Sequence, residues 1–215
     1  MGAAGGPVPV QLRFATKLTS EQYVSSRAWR EASLAACPIH GGTACGFSRH
    51  GTYERKFPAG TRVPRWYCRL GHCTFSLLAD CFASRLPGTL AEIEEVLVEV
   101  ERAPSQEKAA ERFRTDIELP GALRWMRRRL KGIRLSLPAL IGLLPSLLFG
   151  SRPTIADFRL AVGVEPVLPE LRETGSRFLH CLPPPLGFGP RPERAPPRSA
   201  SSQQPMGTEL FAQRT

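Results

Sequence analysis

The chain is short of acid. Of its 215 residues, 19 are Asp or Glu against 29 Lys or Arg, a formal charge of +10, and the aspartates are Asp80, Asp116 and Asp157 alone. Such an excess points to an anionic partner, nucleic acid before a membrane surface, and says nothing about fold. Long apolar runs are also missing. The longest weakly charged stretch, Leu135 to Gly150, falls short of the roughly 20 residues a spanning helix needs and contains Pro138 and Pro145. No membrane span is expected. The stretch reads as buried or docked, with an anionic membrane interface as the runner-up.

Several catalytic signatures are absent too. A thiol redox site would need a Cys-x-x-Cys pair, and an acyl-transfer site of the hydrolase kind a G-x-S-x-G elbow; neither occurs. Two-metal phosphoryl chemistry needs a set of carboxylates, yet no acidic set lies in a strand-rich region after the helices. The expectation is a protein that is not an enzyme. Met1 to Val10 has neither a basic region nor an apolar one, so it does not read as a secretory signal, and Gly6 stands where a myristoylation motif wants Ser or Thr. A cytoplasmic location is expected.

What is present is 42% hydrophobic residues, enough for one modest core or two small ones, interrupted by 21 Pro and 19 Gly. The fold class expected is α+β, in small domains. Residues 1–36 read as a flexible lead, to about residue 18, and a short helix capped by Thr19 or Ser20 and running to about Ala36. Residues 37–86 mix Gly, Cys and His with aromatic and β-branched residues. In them Thr52 to Phe57 and Thr61 to Tyr67 form a hairpin through Pro58-Ala59-Gly60, Pro64 marking the second strand as an edge. Residues 88–134 read as three helices, 135–182 as an apolar helical segment and linker, and 183–215 as a disordered Pro-rich tail, with eight prolines between Pro183 and Pro205.

Five of the six cysteines fall between positions 37 and 81, with His40 and His72 among them. In an intracellular chain such clustering favours metal. Zinc takes four thiolate or imidazole ligands tetrahedrally, usually two from each of two tight turns. The expected set is Cys37 and Cys45 from the first turn, with Gly46 allowing close backbone approach, and Cys68 and His72 from the second. His40 and Cys73 are the reserves, and Cys37, His40, Cys68 and His72 form a close alternative. In a unit this small, metal binding would be a large part of the folding free energy.

The third helical segment, Leu119 to Arg134, sorts at 100° per residue into two faces. Ala122, Leu123, Trp125, Met126, Leu130 and Ile133 form one; Arg124, Arg127, Arg128, Lys131 and Arg134 form the other, and Arg129 falls inside the apolar arc. No acidic residue occurs between Glu118 and Asp157. Double-stranded DNA is therefore the expected partner of those five cations. Arg49, Arg55, Lys56, Arg62, Arg65 and Arg69 offer a second basic surface. A short second helix joined by a turn to a basic third resembles a helix-turn-helix unit.

The run from Cys37 to Cys81 resembles the zinc ribbon at the head of bacterial insertion-element transposases and related uncharacterised proteins. The likeness is carried by the first ligand turn, His50-Gly51-Thr52-Tyr53, Arg65-Trp66-Tyr67-Cys68 and Thr74-Phe75-Ser76-Leu77-Leu78. The segments Ser105 to Ala110 and Ala122 to Leu130 are similar to the helix-turn-helix that often follows such ribbons. The resemblance covers roughly residues 37–134 and implies a zinc-stabilised, DNA-binding module. It departs from the pattern in the extra His and Cys of both turns and in Ala79, where Pro is expected. With no room for a strand-transfer domain, a recognition module or regulator is expected, with a transposase or another protein as a second partner. The alternatives are a zinc-ribbon protein-interaction module, docking through Trp66 and Tyr67, and a truncated transposase.

Overall fold

The computed structural model describes residues 10–189. Among them are a four-stranded sheet and seven α-helices, an α+β architecture. The sheet order is β1-β4-β3-β2, from β1 (Val10–Phe14), β2 (Ser48–Glu54), β3 (Arg62–Cys68) and β4 (Cys73–Ala79). β4, β3 and β2 pair antiparallel, and β1 joins β4 in parallel, Val10 opposite Phe75.

Two expectations are corrected here. Residues 10–14 are no flexible lead, because the alternation in VQLRF supplies the free edge of β4 with a strand. β3 is also not an edge strand. Pro64 is accommodated because β2 carries one extra residue between Arg49 and Thr52, opposite the adjoining Arg65, and because the β3–β4 ladder starts only at Arg65. Thr19 does cap α1 (Ser20–Ser25), in a capping box with Gln22. The helix then stops far short of Ala36, as Arg27 turns left-handed (φ 56°).

The second layer is helical. Thr89 opens α2 (Leu90–Arg102) with a capping box through Glu92, and Ser105 caps α3 (Gln106–Phe113). α4 (Leu119–Leu143) continues past residue 134, since Leu137 and Leu140 repeat the spacing of Met126, Leu130 and Ile133 and all five are buried. Pro138 does not end it: the residue is exposed, so the carbonyl it leaves unpaired faces water. α5 (Pro145–Leu148), α6 (Ile155–Val162) and α7 (Val167–Thr174) close the bundle, placing Leu144, Leu148, Ile155, Phe158 and Leu171 in the same core. No helix among the described residues is long and apolar enough to cross a membrane.

Charged groups inside this layer are all paired. Glu94 is buried, accepting from Arg159 (2.7 Å) and the Leu168 amide (2.8 Å), and Glu101 accepts from the first amides of α6. Arg172, fully buried on α7, donates to the carbonyls of Asp80 and Phe82 at the end of the sheet and of Pro185 and Leu186. It thereby ties sheet, helices and the 183–189 segment together.

That segment is not disordered. Leu182 and Leu186 are core residues, and Ser84 donates to the Gly187 carbonyl. Residues 190–215, the rest of the expected tail, lie outside the described residues. The Pro184 carbonyl rests on α4 at Gly132, where any Cβ would strike it. Ala is favoured over Gly in a helix interior by about 1 kcal/mol, so an isolated helix would gain from Gly132→Ala. Here the substitution is expected to lower the stability of the protein instead, measured as a lower midpoint in chemical denaturation. A raised midpoint would show that the segment does not dock there.

Candidate metal centre

The first turn is built by backbone hydrogen bonds around Cys37, whose amide donates to the Gly42 carbonyl (3.0 Å) and whose carbonyl accepts from Gly41 (2.8 Å). The chain then reverses at Thr43, whose carbonyl accepts from Gly46 and Phe47, and enters β2. Gly46 has φ +69°, and a Cβ there would lie 2.9 Å from Arg69 Cβ, so both backbone angle and space require glycine. The Leu70 amide donates to the Cys45 carbonyl (3.1 Å), which fastens the β3–β4 turn to the first turn.

The outcome is a cluster of Cys37, His40, Cys45 and Cys68, whose ligand atoms all lie within 4.8 Å of one another. The three cysteines are buried beside Phe47, Trp66, Phe75 and Leu77, while His40 closes the solvent side. His40 Nδ1 lies 3.4 Å from Cys37 Sγ and 3.4 Å from Cys68 Sγ. With metal–sulfur bonds of about 2.3 Å and metal–nitrogen bonds of about 2.0 Å, a tetrahedron has N···S edges of about 3.5 Å. The donor set therefore fits one tetrahedral cation. Gly71 supports it, donating its amide to Cys68 Sγ (3.2 Å), and a Cβ there would touch Cys68 Sγ, His40 and Ile39 at 3.3 Å.

The ligand turns contribute unequally. The first supplies three residues, and the second only Cys68. His72 stands outside: its backbone is left-handed (φ 47°), and the exposed ring pairs through Nδ1 with the Tyr67 hydroxyl (3.2 Å). Cys73 is also outside, its thiol donating to the Gly71 carbonyl (3.0 Å). His40 thus takes the position expected for His72. The signal for it was its place three residues after Cys37, on the same turn.

The thiols carry opposite shifts. Burial opposes ionisation of Cys37, but the His40 ring and the backbone amides of His40 and Ile39 outweigh it and bring the thiol down to about 6. Burial, with Cys68 and Cys37 as neighbours, pushes Cys45 up to about 11. A cation bound among these sulfurs would lower the cost of ionising Cys45.

The five cations expected to face DNA, Arg124, Arg127, Arg128, Lys131 and Arg134, are all exposed on α4. None makes a salt bridge among the described residues. The Arg134 guanidinium faces the Gln106 side-chain amide, whose oxygen would accept from it with the amide turned over. Arg129, out of place on the wheel, lies over Trp125 at 3.8 Å, with Arg114 also within 4.9 Å of that ring. In the second basic group Arg55 is internal, donating to the carbonyls of Ala83, Leu86 and Gly88, and Arg49 donates to those of Trp29 and Arg30 while covering Trp66. Lys56, Arg62 and Arg69 are exposed, and Arg65 is half-buried over Tyr53. Trp66 is buried, so it is not available for docking as a pair with Tyr67. Asp80, Asp116 and Asp157 are held by Arg13, Arg114 and Arg152 respectively.

No protein-family model matches the chain, and neither does a curated protein or a solved structure.

Replacing Cys37, Cys45 or Cys68 by Ser, or His40 by Ala, is expected to weaken metal binding by more than the roughly 10- to 100-fold that an outer-shell change costs. His72→Ala is expected to retain the metal. Metal content after dialysis, by elemental analysis, checks this, and loss of metal in His72→Ala alone would refute the assignment. Protons compete for the same donors, so acidification is expected to release the metal as the thiolates protonate.

Proposed function

We propose that this protein is a zinc-stabilised module that binds double-stranded DNA through α4, acting as a recognition module or regulator. The observation that carries the reading is the face of Arg124, Arg127, Arg128, Lys131 and Arg134, five exposed cations without a carboxylate partner among the described residues. A face that served only solubility would ordinarily interleave charges of both signs. Backing by the buried Met126, Leu130 and Ile133 holds the α4 backbone in place, so phosphate contacts would cost little backbone ordering.

Zinc is the metal best matched to three thiolates and one imidazole. The same donor set supports action inside the cell, where thiols remain reduced. A likeness to transposase ribbons rests on the residues quoted above and belongs to this proposal. Binding that neutralises Z phosphates weakens with salt at a slope of about −0.9Z on B-DNA. Arg127→Ala, Arg128→Ala and Lys131→Ala together are expected to reduce that slope by about three, measured by duplex DNA binding across a salt series. A metal-loaded, folded protein that ignores duplex DNA at low salt would overturn the proposal and favour a protein partner.

A further inference from the structure

Cys73 is left over from the metal cluster, yet it is placed against it. In the antiparallel β3–β4 ladder Cys73 is the direct partner of Cys68. Residues so paired have Cα atoms about 4.5 to 5.5 Å apart and side chains on one face of the sheet. Disulfides span Cα separations of about 4.4 to 6.8 Å. The two sulfurs also bracket one residue, Cys68 Sγ accepting from the Gly71 amide (3.2 Å) and Cys73 Sγ donating to the Gly71 carbonyl (3.0 Å). Cys68 is fully buried whereas Cys73 is half-buried, so the non-ligand sulfur is the one a small oxidant meets first.

We propose that Cys73 is a peroxide-reactive thiol that releases the bound metal by forming a disulfide with Cys68; this rests on the metal reading of the Cys37, His40, Cys45 and Cys68 cluster. The Cys73 thiolate attacks hydrogen peroxide, the O–O bond breaks, and sulfenic acid and hydroxide form. The Cys68 thiolate then attacks that sulfur, a sulfur–sulfur bond replaces the sulfur–oxygen bond, and a second hydroxide leaves. Two protons convert the hydroxides to water, so one peroxide is reduced by two electrons as two thiolates become one disulfide. The cation retains only Cys37, His40 and Cys45, and one of its charge-neutralising thiolates is gone. A thiol reductant reverses the step and restores the site.

The test uses the full chain, loaded with zinc, carrying Cys181→Ser to remove an exposed thiol that stands apart from the cluster. Zinc content is measured first. The chain is then titrated with hydrogen peroxide while a chromophoric chelator reports released zinc and peptide mapping reports cross-links. The expected result is a Cys68–Cys73 cross-link that rises in step with zinc release, one zinc per disulfide, reversed by thiol reductant. Cys73→Ser is expected to bind zinc normally and release it several-fold more slowly. A loaded chain in which Cys73 stays reduced, or in which zinc leaves through cross-links among Cys37, Cys45 and Cys68 at an unchanged rate in Cys73→Ser, overturns the switch alone. A chain that holds no zinc before peroxide is added overturns the metal reading on which it rests.

Discussion

Three buried sulfurs and one imidazole nitrogen within 4.8 Å of one another constrain everything around them. Burial alone would keep such thiols protonated, and packing alone would scarcely hold the loop from Cys37 to Cys45, whose other residues are mostly small and exposed. A shared divalent cation would resolve both difficulties. It would stabilise the thiolates electrostatically and join the first turn to the end of β3, where apolar area is scarce. Phe47, Trp66 and Phe75 pack beneath the cluster.

The opposite end of the sheet is held by different means. Asp80, just beyond β4, is paired with Arg13 of β1 (2.7 Å), and its carbonyl accepts from Arg172 (3.1 Å). A buried guanidinium bonded to four carbonyls is costly to desolvate, and burial lowers its pKa to about 10. Removing it would leave those carbonyls unpaired, a loss on the order of several kcal/mol. Arg172 thus couples the sheet to the bundle that carries α4.

Local chemistry was legible in the sequence, and pairing between distant segments was not. The capping residue Thr19 was visible because a cap is a matter of three neighbouring residues. Cys45-Gly46 was visible for the same reason. Assigning His72 over His40 failed because spacing along the chain does not reveal that His72 is left-handed, its ring turned toward Tyr67. β1 was missed because its partner β4 lies far along the chain, and five residues of alternation are too few to distinguish a strand from a lead. Composition misled at residues 183–189: prolines suggested disorder, while Leu186 and the fit of Pro184 on Gly132 determined the outcome. The third helix was expected to end at Arg134, yet Leu137 and Leu140 carry its apolar spacing on, and it runs to Leu143.

X-ray absorption of the zinc-loaded full chain reads the ligand set directly, since sulfur and nitrogen neighbours differ in both scattering and distance. Three sulfurs at about 2.3 Å and one imidazole nitrogen at about 2.0 Å are expected. Two nitrogens, four sulfurs, or a shell of oxygen would contradict that set, because each requires a donor that the fold places outside the cluster.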